Sequence, residues 1–431
     1  MPIAKQLLEK AARHFWVVTA GAGLLALGLY LYVASPGLAG TADTYHYLSA
    51  AYSLQTTGHL LIADGRAFTW WPPLFVVVLS VIGSSGGVLW LNGLSLLGSL
   101  AGWSAAGHRL LPARRAWALP LLLALSSTSL AVSKFVWSES LFNLLWASYF
   151  IVLLAWLRRG GWRLGVLATV LGCLLPLQRI AGIFLLAGVG AGLLWAGLSA
   201  RQVARPSRLM QLAHLVGAGS GLAVFFLRKG LSVTNPYPTY IPLSQAAADY
   251  GFVLSRWLVP LPIAWLPLVP TGVWLLLLLL ICLLLFPRAP QAKQAGYDWP
   301  DEQEVIGVRI LYSALLFYLI LLIASVMRAR AGTGLQEAER FATALYPPLM
   351  LLVLRAWPPR GRWATRLGPG LLGLLLLYQG GRVVHSSQHL RRVAPIELTY
   401  PHPDAWWQGA GPVVPTAPVA SPPKSLGNQP G

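Results

Sequence analysis

The sequence predicts an all-α integral membrane protein with about eleven transmembrane helices and an amphipathic helix in its first outer loop. Of its 431 residues 56% are hydrophobic and only 10% are charged, against roughly 25% charged in globular chains. Apolar runs recur along the whole chain and 19 tryptophans are spread among them, which suits interfacial aromatic belts. This composition excludes a soluble enzyme. A net charge of +19 would fit a nucleic-acid partner, but the 32 Lys and Arg fall in twos and threes between apolar runs. They form no single basic face, so nucleic acid is excluded and the charges read as topology signals.

The first apolar run, 15–34, follows Lys5, Lys10 and Arg13 and, at about 20 residues, is long enough to cross a ~30 Å hydrocarbon core. No small-residue cleavage site follows it, so it is expected to be an anchor; a cleaved signal peptide is the alternative. Further runs lie at 88–107, 116–132, 139–157, 162–177, 181–198, 211–227, 258–286, 306–327, 341–357 and 367–380. Cys173 and Cys282 both lie inside such runs and imply no disulfide framework. With a cytoplasmic N-terminus, the groups Arg109/Arg114/Arg115, Arg158/Arg159/Arg163, Arg201/Arg205/Arg208 and Arg355/Arg360/Arg362/Arg366 all fall inside, the positive-inside pattern. The expectation is a multi-pass protein of the plasma (inner) membrane with an outer C-terminus. Its parity requires that 72–82 does not cross, and eleven residues make only ~16 Å of helix. That segment is expected to be re-entrant or interfacial. The alternative pairs it with 88–107 as a hairpin and turns the Arg109 to Arg115 loop outward. The organisation is therefore a polytopic domain over 1–380 with a first outer loop at 35–87, an outer segment at 381–408, and a Pro-, Gly-, Ala- and Ser-rich tail at 409–431 expected to be disordered.

The 13 carboxylates avoid the middle of every span. Proton- or sodium-coupled transporters usually keep an acid at the midplane, so this distribution disfavours that class. On the predicted outer side lie Asp43, Asp64, Glu139, Asp249, Glu337, Glu339, Glu397 and Asp404. The first outer loop is the richest segment. Thr41 or Asp43 can cap a helix that carries Leu48, Ala50, Ala51 and Leu54 on one face, and Gly58 suits its left-handed end. On this local pattern Asp43 fits a plain capping role as well as a chemical one.

Ala42-Asp43-Thr44-Tyr45-His46-Tyr47-Leu48, followed by Asp64-Gly65-Arg66 and Trp71-Pro72-Pro73-Leu74, resembles the first periplasmic loop of the GT-C-fold glycosyltransferases. Those of the protein O-mannosyltransferase and lipid A aminoarabinose transferase types take a sugar from a polyprenyl phosphate. Trp137-Ser138-Glu139-Ser140-Leu141-Phe142, Gln178-Arg179-Ile180-Ala181-Gly182, and Glu339-Arg340-Phe341 leading to Tyr346-Pro347-Pro348 extend the resemblance over about residues 10–380. It implies a GT-C-like fold, a polyprenyl-phosphate-linked sugar donor, a hydroxyl-bearing acceptor and a catalytic acid at Asp43. Some members carry an acid directly before the proline-containing segment, where this chain has Trp71. The second carboxylate is accordingly Asp64 or Glu139, and participation of a divalent metal stays open.

Transfer of a sugar from lipid phosphate to a hydroxyl needs a base for the acceptor proton and cations for the departing phosphate. Asp43 suits the first task. Arg340, Arg179, Lys134 and Arg66 suit the second, Arg by its bidentate fork. Arg179 and Lys134 also suit interface anchoring, and Glu339 offers Arg340 an ordinary neighbouring ion pair. Tyr45 and His46 belong to the candidate substrate loop, as do Tyr237 and Tyr240 in a Pro-rich stretch, 232–256, long enough to form a lid. His385 and His389 stand four residues apart, but no third metal ligand is near them in sequence. Two readings of other classes remain: a transporter or lipid flippase, and a catalytically silent subunit that keeps the scaffold.

Overall fold

The computed structural model describes residues 14–63, 65–69, 71–199, 206–229, 241–260, 267–285, 302–328, 335–356 and 362–396. Among the described residues the regular elements are helices, with two isolated β-bridges, Ala39 with Phe135 and Leu61 with Ala67. In chain order they are α1 (Phe15–Ala34), α2 (Ala42–Thr57), α3 (Leu74–Ile82), α4 (Ser85–Leu110), α5 (Ala113–Ala116), α6 (Ala118–Ala124), α7 (Ser127–Lys134), α8 (Glu139–Arg159) and α9 (Trp162–Gln178). There follow α10 (Gly182–Ser199), α11 (Arg208–Lys229), α12 (Leu243–Arg256), α13 (Leu268–Leu285), α14 (Glu302–Arg328), α15 (Leu335–Ala342), α16 (Tyr346–Ala356) and α17 (Arg362–Arg392). Helices α1, α4, α8, α11 and α14 are long and apolar enough to cross a membrane, and shorter apolar helices cover Trp162–Gln178, Gly182–Gly197 and Val269–Leu280. Leu24, Leu227 and Leu377 stay exposed on their outward flanks, the condition of side chains that lipid would cover.

Two ends of the bundle follow from how these helices meet. Phe15, at the start of α1, stacks on His108 near the end of α4, while Tyr30 Oη donates to Leu89 O at 2.8 Å. The two helices are therefore antiparallel. Helix α8 runs parallel to α4, because Gly98 faces Leu144 and Gly102 faces Ala147. The chain must return across the bundle between them. It does so through the run at 116–132, which is three short helices and not one span. The cause is local: Ser126 Oγ accepts from the Ser129 N–H at 3.1 Å and starts a new helix where Leu125 closes the last. The broken backbone is buried, with Ala118, Leu119, Leu122 and Leu130 at its core, the circumstance in which a membrane protein tolerates breaks.

Elsewhere small residues set the spacing. A Cβ on Gly188 of α10 would stand 2.4 Å from Ala314 Cα, and one on Gly192 would stand 2.5 Å from Ile310 Cα. These two glycines, one turn apart, let α10 and α14 approach backbone to backbone. A buried polar tie joins three helices: Thr169 Oγ1 donates to Gly165 O at 2.8 Å, and His214 lies 3.0 Å from both Thr169 Oγ1 and Tyr149 Oη. Since the Thr169 proton is committed to the carbonyl, Nδ1 of His214 is the donor to Thr169 and Nε2 accepts from Tyr149.

Three expected segments differ in extent. The 72–82 segment is a nine-residue helix, too short to cross. The run at 341–357 is a 3₁₀ turn, Thr343–Leu345, followed by the 11 residues of α16, about 16 Å of helix. The run at 367–380 lies within α17, whose 31 residues continue to Arg392. The tail at 409–431 lies outside the described residues.

Candidate functional site

One end of the bundle gathers the C-termini of α1, α7 and α9 and the N-termini of α2 and α8. Backbone bonds stitch the approaches to α2 and α8 together: Ala39 N donates to Lys134 O at 2.9 Å and Val136 N to Ala39 O at 3.0 Å. Thr44 Oγ1 accepts from the Thr41 N–H at 3.0 Å and donates to Val136 O at 3.1 Å. Trp137 Nε1 donates to Thr41 Oγ1 at 2.9 Å, and Asn92 Nδ2 holds the carbonyls of Ser133 and Phe135. Two segments almost a hundred residues apart thus share one hydrogen-bonded frame. It brings Asp43, in the first turn of α2, and Glu139, the first residue of α8, to the same place.

Helix α15 supplies the group that joins them. Ala338, Arg340 and Ala342 are all buried on this short helix. Arg340 Nε donates to Glu139 Oε1 at 2.5 Å, Nη2 to Asp43 Oδ2 at 2.8 Å and Nη1 to Glu337 Oε2 at 3.4 Å. Its guanidinium also lies over the Trp137 ring, 4.1 Å from the centroid, a cation–π contact worth more out of water than in it. Arg179, just past the end of α9, meets the same Glu139 oxygen and donates to Ser138 Oγ at 3.1 Å. Gln178 Nε2 donates to Ser138 O at 2.9 Å, so the end of α9 is fixed on the start of α8.

The cluster therefore sets three carboxylates against two guanidinium groups. The Arg340 and Glu139 side chains are buried, 5% and 4% exposed, whereas Asp43 is 28% and Glu337 38% exposed. What a ligand meets from solvent is carboxylate, with the cations behind it. Burial works against the charged form of Arg340, but Glu139, Asp43 and Glu337 outweigh it and hold the guanidinium above its ordinary pKa. Burial raises the pKa of Glu337, and the nearby carboxylates of Asp43 and Glu139 add to the rise against the pull of Arg340. Tyr250 of α12 has a buried hydroxyl with no hydrogen-bond partner among the described residues and lies within the field of Tyr318, Asp249, Arg179 and Glu337.

Of the residues singled out in the sequence, Asp43, Glu139, Arg340 and Arg179 meet at this point. Lys134 is at the same end, but its buried ammonium donates to Val33 O at 3.1 Å and Gly37 O at 2.5 Å, tying α7 to the end of α1. Arg66 sits on an exposed turn whose backbone is closed by Ile62 N to Arg66 O at 2.8 Å. Tyr45 is half-buried on α2, and His46 stacks on Trp71 at 5.3 Å. Asp64, Tyr237 and Tyr240 lie outside the described residues.

Glu339 is not the partner of Arg340: it meets Arg382 Nη2 at 2.5 Å. The helix places i and i+1 on different faces, so the Arg340 partner on its own helix is Glu337, three residues back. That i,i+3 spacing was the sequence signal for Glu337, and Trp137 stood beside Glu139 in the quoted motif. Among the described residues no group of three His, Cys, Asp or Glu is arranged to hold a metal ion. Asp43 Oδ2 and Glu139 Oε1 face guanidinium donors.

No family model matches the sequence, and no curated protein matches it. Among solved structures the chain is similar to the arabinosyltransferase EmbB from Mycobacterium smegmatis, with 15% identity over 86% of this chain and a TM-score of 0.41. The matched region spans 41% of that chain, a likeness at which neither fold family nor activity transfers.

Proposed function

We propose that the protein is a membrane glycosyltransferase of the GT-C kind, moving a sugar from a polyprenyl-phosphate donor to a hydroxyl-bearing acceptor at the outer face of the plasma membrane. The observation that carries this reading is the partly exposed carboxylate of Asp43 on a loop helix, oriented by Arg340, which is itself fixed by Glu139. A proton acceptor with a fixed direction is the group the reaction needs. In the proposed step Asp43 takes the proton of the acceptor hydroxyl as its oxygen bonds to the anomeric carbon. The bond from that carbon to the phosphate oxygen breaks, its electron pair leaves with the phosphate, and the lipid phosphate departs.

A guanidinium has five N–H donors, so Arg340 keeps donors beyond the three that meet carboxylates, and Arg179 stands beside it. These are the groups proposed to receive the leaving phosphate. The arginine groups of the loops at the opposite end support a cytoplasmic address for that end by the positive-inside rule, which makes the Asp43 end the outer one.

The test is the purified full chain with a panel of radiolabelled polyprenyl-phosphate sugars, scored for release of lipid phosphate and for label on the acceptor. Release by the wild type supports the reading. A folded preparation that turns over no member of the panel overturns it in favour of a transporter or a silent scaffold.

A further inference from the structure

The far end of the bundle carries a second arginine group built differently from the first. There Arg115 Nη1 donates to Leu354 O at 3.0 Å and to Arg355 O at 3.1 Å, while Arg355 Nη1 donates to Leu110 O. These two are absorbed by the carbonyls that end α16 and α4. Arg109, Arg158 and Arg159 are not. They are exposed, and they occupy the last turns of α4 and α8, two parallel helices whose C-termini emerge side by side. The charges acting on Arg109 are those of Arg159 and Arg158. Among the described residues no ion pair reaches this trio. Three neighbouring cations repel one another, which an anion would relieve.

The surroundings say which anion. Trp16 is 56% exposed and packs edge-on against His108 at 5.7 Å, next to Arg109. Trp162 is 68% exposed, with the Arg163 guanidinium 5.7 Å from its ring centroid. Exposed tryptophans beside the ends of apolar helices mark the headgroup level of a bilayer. Along α1 the exposed side chains of Val17 and Leu24 continue from that level as an apolar flank suited to acyl chains. Charge, depth and flank agree.

We propose that Arg109, Arg158 and Arg159 form a site for the phosphate of an anionic phospholipid headgroup. The lipid phosphodiester takes charge-assisted hydrogen bonds from guanidinium groups of both helices. It thereby joins the ends of α4 and α8, and its tails lie on the apolar flank.

The experiment measures retention of phosphatidylglycerol by the detergent-purified full chain in native mass spectrometry, with phosphatidylcholine and inorganic phosphate as separate arms. The wild type should retain phosphatidylglycerol over phosphatidylcholine, and Arg158→Gln/Arg159→Gln should weaken retention roughly tenfold or more. The charge-matched control Arg391→Gln/Arg392→Gln, which removes two exposed arginines at the opposite end, should leave it unchanged. Undiminished retention in Arg158→Gln/Arg159→Gln overturns the proposal, and so does an equal loss in the control. Displacement of the lipid by an equal concentration of inorganic phosphate would make this a free-phosphate site instead. Should the double variant fail to fold, the single Arg109→Gln carries the same test, and unchanged retention there also overturns the proposal.

Discussion

The two ends of the bundle use the same residue type in opposite ways. At one end Arg340 and Arg179 lie buried among the carboxylates of Asp43, Glu139 and Glu337. At the other Arg115 and Arg355 donate to backbone carbonyls, and Arg109, Arg158 and Arg159 are exposed. A guanidinium paired with acids in a low-dielectric setting is held rigidly and orients its partners, since removing either leaves an uncompensated charge. A guanidinium on helix-terminal carbonyls closes a helix and does little else. The difference is between an end whose arginines are paired with acids and an end whose arginines close helices or face solvent.

The largest effect should come from Glu139→Gln. It withdraws the carboxylate shared by two buried guanidinium groups, and breaking such a pair typically costs about 3–5 kcal/mol. A marked fall in melting temperature is expected, with no counterpart for neutralising any single exposed arginine at the far end. An unchanged melting temperature would mean that the cluster does not hold the bundle end together.

Asp43→Asn sharpens the comparison on the side of function. The amide keeps the size, and the cap at Thr41 is untouched, but it cannot take a proton, so turnover should fall by ~10²-fold or more with donor affinity retained in the same preparation. Unchanged turnover would leave Asp43 as an ion-pair partner in the first turn of a helix capped by Thr41.

At the arginine end Arg115→Met should cost about 1.5–3 kcal/mol, the scale of hydrogen bonds from a charged group, and leave turnover per folded molecule unaltered. A loss of turnover here would break the division between the two ends.

The smallest effect is a pH dependence. Glu337 has a raised folded-state pKa, from burial first and from Asp43 and Glu139 next. For a carboxylate raised in the folded state, the contribution to stability is fully present below the ordinary value of 4.5 and is lost as pH rises through the higher folded value. Glu337→Gln should therefore remove part of the stability loss seen on raising the pH through that window. Melting curves of wild type and variant that stay parallel across it would contradict the assignment.

Much of the architecture was legible because its signals are local. Apolar runs of sufficient length announce helices that cross, and Gly58 announced the left-handed end of α2, where it adopts φ 73°. The broken crossing at 116–132 was less legible, since a mean over an apolar run conceals a single serine that caps a new helix. Asp43, Arg179 and Arg340 could be named from short motifs, but their relation to one another could not.

What the sequence by itself determined was the membrane class, the position of most helices and the separation of arginine groups from acids along the chain, all consequences of residue-by-residue hydropathy and charge. Only the tertiary structure decided that Arg340 turns to Glu139 and Asp43, 201 and 297 residues away, while its neighbour Glu339 turns to Arg382. Local spacing fixes which face of a helix a side chain occupies. The partner on that face is set by how distant helices pack, and a buried charge accepts only the arrangement that leaves it compensated.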